Sequence, residues 1–315
     1  MSYKTAAFSD DLSSVFAQAA ELAAKVGLDG LAVRNVDGRN IASLDDREVA
    51  DVKRLAGVHG LDISALGSQL GRNSFLEAAN SAKEAAELLR RLIGHAAVLG
   101  AANIRMFAPW LHGQDPLERW ADRPVLADRL EAIAQWLAPS LSLAEQAGVI
   151  LMVELEGASY IGQVAEAREL LRRVQSPALA LCWDVCNGWW SGELPLDQGW
   201  PLVRDLNIVD VQTKDVRSQT GNPEAPAFEQ AVLGEGDIPY RAIIEGLFEI
   251  GYSGWFTAER VYHPRKPEEN PVLQQNTLAD IRALKTMLAK ADARPDPHQS
   301  TRPAEQQEHR QGAKA

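Results

Sequence analysis

Apolar residues in this chain gather into short unbroken runs, and most of these runs stop at a polar residue. The runs are Thr5–Phe8, Leu28–Arg34, Leu61–Leu66, Asn103–Ala108, Val149–Glu154, Leu179–Asp184, Ile208–Thr213 and Trp255–Glu259. Val149-Ile150-Leu151-Met152-Val153 is typical, with no polar residue alternating between the apolar ones. Runs without alternation predict strands covered on both faces, as in a parallel sheet.

Stretches with a helical period separate the runs. Ser9-Asp10-Asp11 is placed to cap a helix reaching about Lys25, which Gly27 then ends. Asp45-Asp46 opens another that ends near Gly60. Phe75–Leu99 closes at Gly100, Val125–Ala147 at Gly148 and Tyr240–Ile250 at Gly251. Caps at the start and glycine at the end are the expected helix punctuation. Helical crossovers are what parallel strands require.

Eight strand–helix units predict a single (β/α)8 barrel over residues 1–291, and a chain of 315 residues suits that fold. A doubly wound open sheet is the competing arrangement, but it usually carries a glycine fingerprint for phosphate after its first strand. Neither GxGxxG nor GxxxxGK[ST] stands there. Leu233-Gly234-Glu235-Gly236-Asp237 is Gly-rich, yet it falls late in the chain and lacks the spacing. Residues 292–315 hold almost no large apolar side chains and are expected to form a disordered tail, with His298 and His309 solvated.

Composition then narrows the function. The formal net charge is −11, which argues against a phosphate backbone as partner, since duplex binding depends on Lys/Arg neutralisation. Two cysteines, Cys182 and Cys186, rule out a disulfide scaffold and fit a reducing compartment. Their CxxxC spacing makes a poor zinc pair, and Cys182 reads as an inert buried thiol. The N-terminus lacks the pattern of a signal peptide, and no apolar run approaches the roughly 18 residues that span a bilayer. A cytoplasmic protein with no membrane partner is expected.

The chemistry is expected where barrel strands end, because the βα loops converge there. Four successive late strands stop at an oxygen ligand: Glu154, Asp184, Gln212 and Glu259. Carboxylates converging at the inner ends of apolar strands repel one another and cost several kcal/mol unless compensated. A divalent cation supplies the missing charge, and an oxygen-rich donor set favours Mg, Mn or Co over a soft-metal site. For any one of these residues alone, a rim salt bridge is the simpler reading; four at matching positions favour the metal.

These same stretches resemble the xylose isomerase-like superfamily, which includes ketose 3-epimerases, inosose dehydratases and endonuclease IV. Val149–Glu154 resembles its strand-five Glu motif. Trp183-Asp184-Val185-Cys186-Asn187 resembles D-x-x-H, with Asn187 where His is usual. Val211-Gln212-Thr213-Lys214-Asp215 resembles H-x-K-D, with Gln212 where His is usual. Gly234-Glu235-Gly236-Asp237-Ile238 and Gly254–Glu259 resemble the family's ending. The resemblance implies that Glu154 and Glu259 bind the metal and transfer protons on opposite faces of a ketose through a metal-stabilised enediolate. Asp184 and Gln212 would be ligands only, and Lys214 would assist a substrate oxygen. Asn187 alters a position that contacts substrate in epimerases.

Further substrate-binding candidates are Arg34, Arg105, Glu156, Asn187 and Arg217, with rim salt bridges as the alternative for the arginines. Trp110, Trp183, Trp189 and Trp190 stand near strand ends, placed either to stack on a sugar or to pack loops. His112 and His263 fall in loops after strands four and eight, whereas His59 and His95 read as structural. The leading expectation is a metal-dependent isomerase or epimerase of a ketose or keto-sugar, with a small sugar or polyol as the partner. A lyase on a keto-sugar or cyclic polyol follows, then an inactive sugar-binding barrel. An endonuclease IV-like enzyme would need a His-rich trinuclear zinc site, and no His ends strands five to seven. Barrels of this family commonly pair, so a homo-oligomer is an open expectation.

Overall fold

The structure, a computed structural model, describes residues 3–111, 126–218, 228–260 and 269–293. Eight parallel strands close into a barrel: β1 (Lys4–Phe8), β2 (Gly30–Val33), β3 (Asp62–Leu70), β4 (Asn103–Met106), β5 (Ile150–Glu154), β6 (Leu179–Asp184), β7 (Ile208–Thr213) and β8 (Trp255–Ala258). Each strand pairs with its sequence neighbour, and β1 pairs with β8 through Lys4↔Trp255 to Ala7↔Ala258. The open-sheet alternative is therefore excluded.

A helix follows each strand: α1 (Phe16–Lys25), α2 (Asp46–Val58), α3 (Ser81–Leu99), α4 (Leu130–Ala147), α5 (Val164–Val174), α6 (Trp200–Val203), α7 (Tyr240–Glu249) and, after the last strand, α8 (Asn270–Asp292). Asp45 caps α2 in a reciprocal box, accepting from the Glu48 amide at 2.9 Å while Glu48 accepts from the Asp45 amide at 2.8 Å. Gly100 and Gly148 end α3 and α4 with φ of 75° and 68°, a left-handed turn that L side chains rarely adopt. Among the described residues, no helix is long and apolar enough to cross a membrane.

Three helix starts differ from the sequence expectation. The helix expected from Ser9 is broken, with one turn at Ser9–Leu12 and a fresh start at Phe16. Ser13 is extended there, and the Phe16 amide donates to Asp37 Oδ1 at 2.9 Å. α3 begins at Ser81, because Phe75 packs beside Phe107, Trp110 and Ala158. α4 begins at Leu130, after a single 3-10 turn at Leu126–Asp128. The expected tail lies outside the described residues beyond Ala293.

Strand side chains alternate, so residues two apart share a face. The barrel interior is therefore layered. Below the layer of Glu154, Asp184, Gln212 and Glu259 lies one that holds Met152, Cys182, Asp210 and Thr257. Met152 and Cys182 pack with Ala65 as a small apolar cluster of their own, and both thiols are buried. The larger apolar core fills the space between strands and helices.

Candidate active site

Three carboxylates meet at the C-terminal mouth of the barrel. Glu154 ends β5, Asp184 ends β6, and Glu259 follows β8. One oxygen from each lies within 4.8 Å of the others, and all three residues are buried. Gln212 sits in register with Asp184 on the neighbouring strand. Its side chain is fully buried, and neither its amide oxygen nor its nitrogen has a protein partner. A buried amide without partners costs of order 1–3 kcal/mol, and an ion or ligand taking its oxygen would offset that cost.

Three cations enclose the cluster. Arg34 donates to Glu259 Oε1 at 2.8 Å, to Asp10 Oδ2 at 3.0 Å and to Asp11 Oδ1 at 3.0 Å. Arg105 donates to Glu154 Oε2 at 3.0 Å and reaches the carbonyls of Gly67 and Ser68 at 3.3 Å each. Both guanidinium groups stand over the Phe8 ring, at 4.4 Å and 5.1 Å from its centre. Lys214 donates to Asp184 Oδ2 at 2.5 Å and to Glu259 Oε2 at 2.8 Å.

These neighbours set the protonation states. Burial works against ionisation of Glu259, yet Lys214, Arg34 and Arg105 hold its carboxyl down at about 2. Burial pushes Asp184 up to about 7 although the Lys214 ammonium pulls it down. Burial also raises the Glu156 carboxyl, and raises the Asp210 carboxyl strongly. Asp210 accepts from the Thr257 hydroxyl at 2.8 Å, one layer beneath the cluster.

Of the other candidates, Asn187 joins the site: its side chain donates to Leu155 O at 2.8 Å and, more weakly, to Glu154 Oε1 at 3.4 Å. Its own amide caps back onto Asp184 Oδ1 at 2.9 Å. Glu156 accepts from the Ala158 amide at 3.2 Å in the loop after β5. The structure does not bring Arg217 to the cluster; it is half-exposed on the hairpin Asp215–Ser218/Phe228–Ala231 and faces Glu229 at 3.8 Å. Trp183 is fully buried and stacks on Trp200, a packing role. Trp110 lies edge-on to Phe107, and Trp189 lies 4.7 Å from Phe228. His112 and His263 lie outside the described residues, and His95 is buried.

Residues that sequence reasoning missed stand behind the first row. Asp10 and Asp11 were readable only as a helix cap, although their place just after β1 was the available signal. Asp215 accepts from the amides of Val216, Gly234, Gly236 and Ile238, at 2.9, 2.8, 3.0 and 3.3 Å, and so folds the loop after β7 over itself. Replacing Asp215 by Ala strands these donors at about 1–3 kcal/mol for each one that water does not reach. We expect a loss on the order of 3 kcal/mol by urea denaturation; a change under about 0.5 kcal/mol would show that water takes over all four bonds.

In a closed parallel barrel the C-terminal mouth is where site-bearing loops converge, and the three carboxylates gather there. The chain belongs to the xylose isomerase-like TIM barrel family, whose sequence model matches residues 20–285. No curated protein matches it at a significant level. Among solved structures it is similar to the probable 3-DHS dehydratase AsbF of Bacillus anthracis, with 18% identity and a TM-score of 0.66 over 90% of this chain and 99% of that one. It is also similar to the IolI protein with a bound zinc atom, with 16% identity and a TM-score of 0.70 over 92% of this chain and 100% of that one. L-ribulose 3-epimerase matches with 17% identity and a TM-score of 0.68 over 96% of this chain and 100% of that one. At such identities the likeness is one of fold.

Proposed function

We propose that the protein is a divalent-metal-dependent isomerase or epimerase of a ketose or keto-sugar, moving a proton at a carbon beside a carbonyl. The observation that carries this reading is the gathering of Glu154, Asp184 and Glu259 next to the partnerless amide of Gln212. Three anionic oxygens and one neutral one fit a hard ion such as Mg, Mn or Co. When bound, the ion polarises the substrate carbonyl and offsets the charge that develops on its oxygen.

The chain's own groups then divide the work. Glu154 keeps Oε1 with only the long Asn187 contact, so it is the freer carboxylate to take a proton from carbon. Lys214 and Asn187 supply hydrogen-bond donors to substrate oxygens. On the opposite face Glu259, ionised at rest, takes up a proton from solvent once a cation contact loosens and passes it to the carbon, while Glu154 gives its own proton up to solvent. L-ribulose 3-epimerase, with the same fold, acts on a sugar of the expected class.

The engagement of both Glu259 oxygens favours a second reading, a lyase that needs a single base. There Glu154 takes the proton beside the carbonyl and the electron pair expels a β-hydroxyl. That hydroxyl leaves as water with a proton from Lys214. The similarity to a probable dehydratase supports this variant.

Manganese-loaded protein incubated in D2O with ketoses, inososes and hydroxylated keto-acids tests both. The expected result is deuterium in the recovered compound or product by NMR. An enone absorbance assigns the lyase. Absence of exchange across all three classes, in protein shown to bind manganese, counts against the proposal.

A further inference from the structure

We infer that the Lys214 ammonium and the divalent ion compete for one place, so that loading the centre drives the ammonium out from between Asp184 and Glu259 and turns it towards the substrate. The inference rests on the metal reading above. Lys214 Nζ lies 2.5 Å from Asp184 Oδ2 and 2.8 Å from Glu259 Oε2. These residues are two of the three whose oxygens gather within 4.8 Å. An ion that took Asp184 Oδ2 and Glu259 Oε2 at about 2.0–2.6 Å would stand almost in contact with a unit positive charge. The Lys214 side chain is only 7% exposed, so little water screens the repulsion. The two cations exclude each other from this pair of oxygens.

The other two cations are placed differently. Arg34 takes Oε1 of Glu259 and is also fixed by Asp10 and Asp11. Arg105 takes Oε2 of Glu154 and is held by two backbone carbonyls. Each planar guanidinium is thus locked by at least three partners. Lys214 is anchored at its backbone instead. The buried Tyr240 hydroxyl donates to Lys214 O at 2.8 Å and accepts from the Lys214 amide at 3.2 Å. The peptide is clamped while the ammonium swings on a four-carbon stem. Before loading, Lys214 offsets the mutual repulsion of the carboxylates. After loading, it is a cationic donor facing the pocket.

Calorimetric titration of chelator-stripped protein with Mn2+ tests the inference. Wild type should bind one ion, and Lys214→Met should bind it at least about tenfold more tightly, or about 1.4 kcal/mol. Mn2+ should also raise the Tm of Lys214→Met more than that of wild type. In a crystal structure of wild type with Mn2+, Nζ should lie beyond hydrogen-bonding reach of at least one of Asp184 and Glu259; this arm needs no variant to fold. Equal or weaker binding by Lys214→Met, or an ammonium still bridging both carboxylates beside the ion, overturns the inference and leaves the metal reading standing. Failure of both proteins to bind Mn2+ overturns the metal reading and this inference with it.

Discussion

Glu154→Gln should cut deuterium exchange into substrate by about 10²–10⁴-fold, the usual worth of a positioned general base. The amide keeps an oxygen for Arg105, which donates to Glu154 at 3.0 Å, so the barrel should stay folded. Loss of a charged ligand will also weaken manganese binding. The measurement is therefore made at manganese concentrations that restore full occupancy, with occupancy confirmed by calorimetry. Exchange that recovers to within about threefold of wild type at full occupancy would reduce Glu154 to a ligand and remove it as the base. The same experiment on Glu259→Gln separates the two chemistries. An epimerase loses turnover from both substitutions, whereas a one-base lyase keeps proton abstraction when Glu259 is changed.

Arg34→Met should lower stability by about 3 kcal/mol, because it removes the guanidinium that Asp10 and Asp11 share, while Glu259 keeps Lys214. Arg34 is 2% exposed and serves Asp10, Asp11 and Glu259 together. Urea denaturation of metal-free protein reads the loss directly. Adding Asp11→Asn to the variant should recover part of it, since the second change removes one of the charges that the guanidinium served. A loss below about 1 kcal/mol would mean that water or a proton replaces the guanidinium, and that the network is no tighter than a surface pair.

The strands were legible because burial on both faces demands unbroken apolar runs, and their polar ends marked the mouth. Glu154, Asp184, Gln212 and Glu259 all fall at those ends in the structure. Their counter-ions were far less legible. Arg34 and Arg105 stood in sequence as either substrate contacts or rim salt bridges. The structure makes them buried partners of the carboxylates, a fact that depends on contacts such as Arg34 to Glu259, 225 positions apart. Asp10 and Asp11 were hidden because the same residues that pair with an arginine also make a good helix cap. Tyr240 gave no signal, being one apolar position among several on α7. The late start of α3 has a similar cause: Phe75 fits the helical period but is claimed by the aromatic group around Trp110.

Asp11 joins the two extremes of the barrel. It accepts from Arg34 beside β1 and from the backbone amide of Arg260 just past β8, across 249 positions of sequence. During synthesis, at about 5–20 residues per second, the first strand must therefore wait with an unpaired edge until nearly the whole chain has emerged. Glu259 is also the last of the four oxygen-bearing side chains to be made. A ribosome stalled before Trp255 would hold a cup with one wall missing and no reactive centre, and any shortening of the chain that removes β8 should yield a product prone to stick to its own kind.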